Sequence, residues 1–371
     1  MNRKFRILLV SNGFYPEISA RSFRATELAV EFARQGHEVK VISKYRDYDY
    51  SGFLNENPID LVMWDRSRCP EIPDFRGRLG KLISRTITRL LGLLFEYPSI
   101  ENMFKVRKIL KDENGFDLMI SFAVPHPVHW GVAWAKSIKH QISDKWIADC
   151  GDPYMGDILD TFRHPFYFKY FEKWFCRKAD YITVPIEGAL KGYYPEFHHK
   201  IRVIPQGFNF SLDNYDQSEP VNDVPSFAYA GELMPGVRDP EPLMRFLTTV
   251  DFPFRFYIFT NRTEIAEKYK VQLKDKLVIC GYIPRNELMN IFSGMDFLIN
   301  FDNNSDRNSP SKLIDYAIAG RPVLNIKKEF AAEKVFAFIK GDYSGRMTLP
   351  DVSNYHIGKI SRIFLEFAGN D

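Results

Sequence analysis

The sequence predicts an α/β protein built from two parallel-sheet domains, and three observations carry that prediction. Short apolar runs alternate with helical stretches along most of the chain, the pattern of strands joined by helical crossovers. The 371 residues exceed what one hydrophobic core normally supports, and a hydrophobic fraction of 45% supplies two. Residues 295–326, MDFLINFDNNSDRNSPSKLIDYAIAGRPVLNI, read as strand, polar loop, capped helix, glycine stop and second strand.

In chain order, residues 6–11 form a first strand, a helix runs from about Ser22 to Gln35 and stops at Gly36, and a strand over 38–43 closes a βαβ unit. Apolar runs at 117–123, 145–150, 181–185 and 201–204 extend the first sheet. Residues 205–226 are rich in Asn, Asp, Ser and Pro without a periodic pattern and read as a linker. SFAYAGEL opens a second sheet, continued by runs at 254–260, 277–283, 297–301 and 322–326. The closing YHIGKISRIFLEF has helical apolar spacing. The expected division is 1–205, a linker over 206–225, a second domain over 226–350 and a C-terminal helix within 351–371.

Composition excludes some classes. A formal charge of +3 is too small for wholesale nucleic-acid binding. Cys69, Cys150, Cys176 and Cys280 are scattered without metal or redox spacing, so buried thiols of a cytoplasmic protein are expected. The opening MNRKFRILLVSNG meets Ser11 and Asn12 too early for a signal peptide, and no uncharged span is long enough for a bilayer. No His and carboxylate cluster has metal-ligand spacing, the acidic pair Asp47 and Asp49 reads as surface, and no serine or cysteine nucleophile motif is present.

Within 295–326, Ser309 is an N-cap, Pro310 takes the first helical position and Gly320 is a left-handed stop. A helix starting there turns free backbone N–H groups and its positive dipole end into the loop, and Lys312 adds a cation, so an anion belongs at this end. Ser311 and Asp315 share a face with a rise of roughly 6 Å, about the distance from a nucleotide diphosphate to its ribose hydroxyls.

At SPSKLIDYAIAGRPVL the chain resembles the C-terminal half of GT-B glycosyltransferases, in particular the retaining, family 4-like group that carries an E-x7-E element. The resemblance implies two Rossmann-like domains whose parallel sheets face a central cleft, with the second acidic position, here Asp315, holding the donor ribose. The first acidic position is occupied by Arg307, with Asp306 or Asp302 as substitutes. It also implies a metal-independent reaction in which protein cations and a helix dipole act where other transferases use a divalent ion. No cofactor is expected beyond the nucleotide-sugar substrate.

Other segments take roles from the same resemblance. The loop NGFYPEISARS replaces the family's glycine pair with Ser19 and Ala20, so Arg21, Ser22 and Arg24 either contact donor phosphate or an anionic acceptor, or begin a solvated helix. After FAYAGEL, a turn presents Arg238 near the carboxyl edge of the sheet, to clamp a diphosphate or to pair with Asp239 or Glu241; Glu232 stands where a second cation is usual. CGYIPRNEL resembles a base-recognition turn with Tyr282 and Ile283 as candidates, leaving uridine, guanosine, thymidine and adenosine donors open. SFAVPHPVHWG offers His126, nearest the strand end, or His129 to approach the donor sugar, and Asp152 in WIADCGDPYMGD either orients a hydroxyl or caps a following helix.

The stretch FRGRLGKLISRTITRLLGLLF has no acidic residue. On a helical wheel Arg78, Lys81, Arg85 and Arg89 take one side and Leu79, Ile83, Ile87, Leu90 and Leu94 the other. Residues 76–94 therefore either lie on an anionic membrane surface or cover the sheet with their cations in water.

The resulting expectation is a cytoplasmic glycosyltransferase at the inner face of the cell membrane, hexosyltransferase-like. It would move a sugar with retention to a glycan or lipid-linked glycan acceptor, in the biosynthesis of lipopolysaccharide, capsule or exopolysaccharide. Its catalytic candidates are His126, Asp152, Arg238 and Lys312, and its donor-binding candidates are Arg21, Ser22, Arg238, Tyr282, Ile283, Ser309, Ser311, Lys312 and Asp315. The alternatives are a nucleotide-sugar epimerase of the same fold and a noncatalytic nucleotide-sugar-binding subunit.

Overall fold

A computed structural model describes residues 3–70, 72–73, 77–136, 140–156, 163–210, 218–281, 283–302 and 312–369. The chain divides into two units, Met1–Asn209 with Tyr355–Asp371, and Phe210–Asn354.

The first unit carries a sheet of strands β1 (Arg6–Ser11), β2 (Glu38–Lys44), β3 (Ile59–Trp64), β4 (Phe116–Ala123), β5 (Ser143–Cys150), β6 (Tyr181–Val184) and β7 (Ile201–Val203). Their order is β3-β2-β1-β4-β5-β6-β7, and every pairing is parallel. Side-chain alternation buries both faces of β1: Leu8 and Val10 join one core with Trp130 and Trp146, while Ile7 and Leu9 join the other with Leu28 and Phe32. The helix Ala20–Arg34 begins two residues before the expected position because the Ser19 side chain accepts from Ser22 N and acts as the N-cap. Its buried Ala25, Leu28, Ala29 and Phe32 follow the spacing of one apolar face, and Gly36, at φ +88°, turns the chain out of the helix. The last helix, Ile357–Gly369, places Ile357, Ile360 and Phe364 in the same core as that face.

The second unit has β8 (Ser226–Ala230), β9 (Arg255–Phe259), β10 (Leu277–Cys280), β11 (Phe297–Phe301) and β12 (Val323–Ile326) in the parallel order β10-β9-β8-β11-β12. Its core centres on Phe227, stacked against Phe256 at 4.8 Å and Phe297 at 4.5 Å. In both sheets the order reverses beside the first strand, between β1 and β4 and between β8 and β11. At such a switch point the loops leaving the carboxyl ends of the strands diverge and open a crevice for ligands.

Cys150 and Cys176 are buried, but Cys69 and Cys280 are only partly so, which corrects the expectation of four buried thiols. Among the described residues no helix is long and apolar enough to cross a membrane.

Candidate functional site

In the second unit, loops leaving β8, β9 and β10 and the helix Lys312–Ala319 enclose a cavity of about 490 Å³, lined in part by Gly231, Glu232, Arg262, Ile283, Lys312 and Asp315. Tyr316 fixes this helix to the sheet by donating to the Ile299 carbonyl at 2.9 Å. Lys312 Nζ lies 4.4 Å from the centre of the Tyr229 ring and 3.4 Å from its hydroxyl oxygen. Burial first, and the nearby Arg238 charge second, push the Lys312 ammonium down to about 7. Gly231 keeps the floor of this corner open: its φ of +141° suits glycine, and a Cβ there would meet the Tyr229 hydroxyl oxygen at 3.1 Å.

Asp315 accepts from Arg285 Nε at 2.9 Å and Nη2 at 2.6 Å, both on Oδ1. Burial raises its carboxyl pKa and Arg285 opposes the shift. Arg238 does not itself line the cavity. Its Nη2 is 3.5 Å from Met234 Sδ and its buried Nε has no hydrogen-bond partner among the described residues. Burial raises the Tyr229 hydroxyl to about 12 and the Arg238 charge opposes that rise, while the same charge adds to the fall of Lys312. Two arginines that the sequence did not single out belong to this region: Arg262 lines the cavity, and Arg285 holds Asp315. Arg262 follows Thr260 at the carboxyl end of β9, and that position was its only signal. Tyr282, Ser309, Ser311 and Arg307 lie outside the described residues.

In the first unit, a cavity of about 740 Å³ opens at the carboxyl ends of β4 and β5. His126, Asp152, Glu96, Tyr154 and His164 line its inner end, and Arg85, Thr88, Arg89 and Leu93 of the helix Gly77–Phe95 its outer wall. His126 is 4% exposed, its Nε2 has no hydrogen-bond partner, and burial, then His164 and Arg21, bring its pKa down to about 3, so the ring is neutral near pH 7. His129 is instead held inside the core, with Nδ1 2.8 Å from Ser121 Oγ and Nε2 3.4 Å from Cys150 Sγ. The two rings pack edge to face at 6.1 Å, but only His126 lines the cavity, together with Asp152. The next described helix after Asp152 begins at Phe168 with Tyr167 in the N-cap position, so Asp152 caps no described helix.

Two expected donor contacts are turned to structural use. Arg21 forms an ion pair with Asp149, and Ser22, 1% exposed, donates its hydroxyl to the Glu17 carbonyl at 2.7 Å. Arg24 is likewise buried, donating to both carboxylate oxygens of Asp149 and to the carbonyls of Ile204 and Pro205. The demand of the Asp149 carboxylate for partners in a dry interior claims the two arginines.

The basic helix is oriented opposite to a sheet-covering helix. Ser84 is buried against the protein and, with Thr88 and Gly92, lines the first unit's cavity, while Leu79 is 77%, Ile83 51% and Leu90 49% exposed. Its apolar side faces outward.

The chain matches no protein-family model and no curated protein. Among solved structures it is similar to a glycosyltransferase from Rickettsia africae ESF-5, with 14% identity over 100% of both chains and a TM-score of 0.63. It is also similar to the lipopolysaccharide outer core galactosyltransferase WaaB in its apo form, at 10% identity over 98% of both chains and a TM-score of 0.59. A third similar structure is Anabaena Alr3699/HepE in complex with UDP and glucose, at 10% identity over 98% of this chain and 95% of that one, with a TM-score of 0.52. These likenesses, with two parallel sheets in two units, define the fold as GT-B, the two-domain fold of these glycosyltransferases.

Proposed function

We propose that this chain is a glycosyltransferase that binds a nucleotide-sugar donor in the second unit and transfers the sugar, with retention, to a glycan or lipid-linked glycan acceptor. The observation that carries the reading is the second unit's cavity, where Lys312 and Arg262 offer cations and Asp315 a carboxylate at a sheet switch point of a GT-B fold. A diphosphate would lie against Lys312 and the described start of its helix. The ribose hydroxyls would reach the Asp315 oxygen that Arg285 does not use, and Ile283 would border the base. The Anabaena structure, solved with UDP and glucose, supports this choice of ligand class. Arg238 and Lys312 supply charge for the departing diphosphate without requiring a metal ion. In the first unit, His126 and Asp152 would hold the reacting hydroxyls.

Lys312 provides the direct test. Free protein near pH 7 carries this lysine about half protonated, and a bound diphosphate favours the ammonium, so binding draws a proton from solution. Uptake is expected to be ~0.5 proton at pH 7 and ~0.9 at pH 8, and affinity should fall as pH rises from 7 to 9. Calorimetric titration of uridine, guanosine, thymidine and adenosine diphosphates in two buffers of different ionisation enthalpy measures this uptake. Identical heats in both buffers, with affinity flat in pH, would remove Lys312 from the diphosphate site. Absence of binding across the panel would remove the donor site itself, and assays of sugar transfer separate a transferase from an epimerase or a noncatalytic binder.

The outward leucines of Gly77–Phe95 favour an acceptor at a membrane, and we place the protein at the cytoplasmic face, in surface-polysaccharide assembly. Leu79, Ile83 and Leu90 would enter the headgroup boundary while the stems of Arg78 and Lys81 reach the anionic layer. In liposome sedimentation, wild type should pellet with anionic vesicles and release with salt. Leu79→Ser with Leu90→Ser should abolish pelleting, and Arg78→Gln with Lys81→Gln should weaken it, at about 1 kcal/mol per cation. Wild type remaining in the supernatant at low salt would refute membrane attachment.

A further inference from the structure

The first unit's cavity has chemically distinct ends. Its inner end presents His126, Asp152 and Glu96, groups that hydrogen-bond sugar hydroxyls, whereas its outer wall presents Arg85 and Arg89. These two arginines are one helical turn apart, about 6 Å along the axis, so both forks can meet the oxygens of one phosphate or diphosphate group. One feature marks the inner end as built for a ligand: His126 Nε2 is buried without a hydrogen-bond partner. Glu96, at φ +54°, takes the left-handed position that ends the helix Gly77–Phe95, where its N–H donates to the Gly92 carbonyl at 2.9 Å and that of Tyr97 to the Leu91 carbonyl at 3.3 Å. Its carboxylate lines the same cavity, and Tyr154 donates to its Oε1 at 2.7 Å.

The outer wall leads to an apolar surface. Leu93 lines the cavity, and Leu90, its neighbour at i−3 on the same helix face, is 49% exposed. An apolar chain leaving a phosphate held by Arg85 and Arg89 can therefore pass over Leu93 onto the outward leucines.

We propose that the acceptor is a sugar joined through a phosphate or diphosphate to an apolar chain, with Arg85 and Arg89 reading the phosphate and the His126 end holding the sugar. This rests on the transferase reading above and specifies its acceptor.

The test uses the full chain carrying Lys312→Met, which removes the buried cation of the donor cavity. Geranyl diphosphate and inorganic pyrophosphate are titrated calorimetrically. Geranyl diphosphate is expected to bind at least tenfold more tightly than pyrophosphate, and Arg85→Gln with Arg89→Gln is expected to weaken it at least tenfold. Unchanged affinity in that variant overturns the proposal, as does equal affinity for the two probes, which would mark a site for free phosphate. If the double glutamine variant does not fold, Arg85→Lys with Arg89→Lys carries the test, because lysine keeps the charge and loses the fork. A threefold to tenfold loss then supports the proposal and no loss overturns it. The nucleotide titrations keep the two readings apart: wild type that binds a nucleotide but not geranyl diphosphate loses only this acceptor, while failure of every nucleotide defeats the donor reading.

Discussion

Replacing Arg238 by alanine is expected to lower turnover by about 10²–10³-fold while weakening donor binding much less. The guanidinium does not line the second unit's cavity but acts on both Tyr229 and Lys312 beside it; its Nη2 lies 3.5 Å from Met234 Sδ, and its buried Nε has no hydrogen-bond partner among the described residues. Such a group stabilises charge that arrives during the reaction better than charge already present in the bound donor, and only an interaction strengthened in the transition state raises kcat. The same substitution removes one of the two causes that depress Lys312, so the pH at which nucleotide affinity falls should move upward. Single-turnover kinetics and nucleotide titrations on the folded variant measure both effects. If kcat is preserved and the losses in donor affinity and kcat/KM are equal, Arg238 is a ground-state anchor.

The parallel strands were legible because both of their faces are buried, which leaves short apolar runs bounded by turn residues; residues 6–11 and 297–301 are strands as read. Strand β3, Ile59–Trp64, was not. It is an edge strand with a solvated outer side, so its run carries Asp60 and its interior residues are only partly buried. Two residues of the second unit's cavity, Lys312 and Asp315, were legible because their spacing is local to one helix. Arg285 was not, since it meets Asp315 across 30 residues of sequence through the packing of two helices. The basic helix shows a further boundary: its wheel displays two faces but does not say which one the protein keeps. Small residues at Ser84, Thr88 and Gly92 decide that, by letting the helix approach on its polar side.

Asp149→Ala is expected to destabilise the first unit by about 3–5 kcal/mol, the range for removing one partner of a buried ion pair. Asp149 is 1% exposed at the end of β5 and joins Arg21, Arg24 and Thr183, whose hydroxyl donates to Oδ2 at 2.8 Å. Burial, and then the neighbouring Arg21 charge, hold the Arg24 pKa well below the usual guanidinium range, so without the carboxylate two buried cations face each other. Asp149→Asn keeps the shape and an acceptor oxygen but not the charge, and should lose nearly as much. Arg24→Met leaves the Arg21 pair in place and should lose less. Urea denaturation, with nucleotide binding in the second unit as a control for global folding, measures the three variants. A loss below about 1 kcal/mol in Asp149→Ala would mean that the arginines do not depend on this carboxylate. In that case Arg21, read from sequence as a phosphate contact, would become a candidate anion ligand again. The predicted large loss would give Arg21 a structural role and leave Lys312 and Arg262 as the cations that line the second unit's cavity.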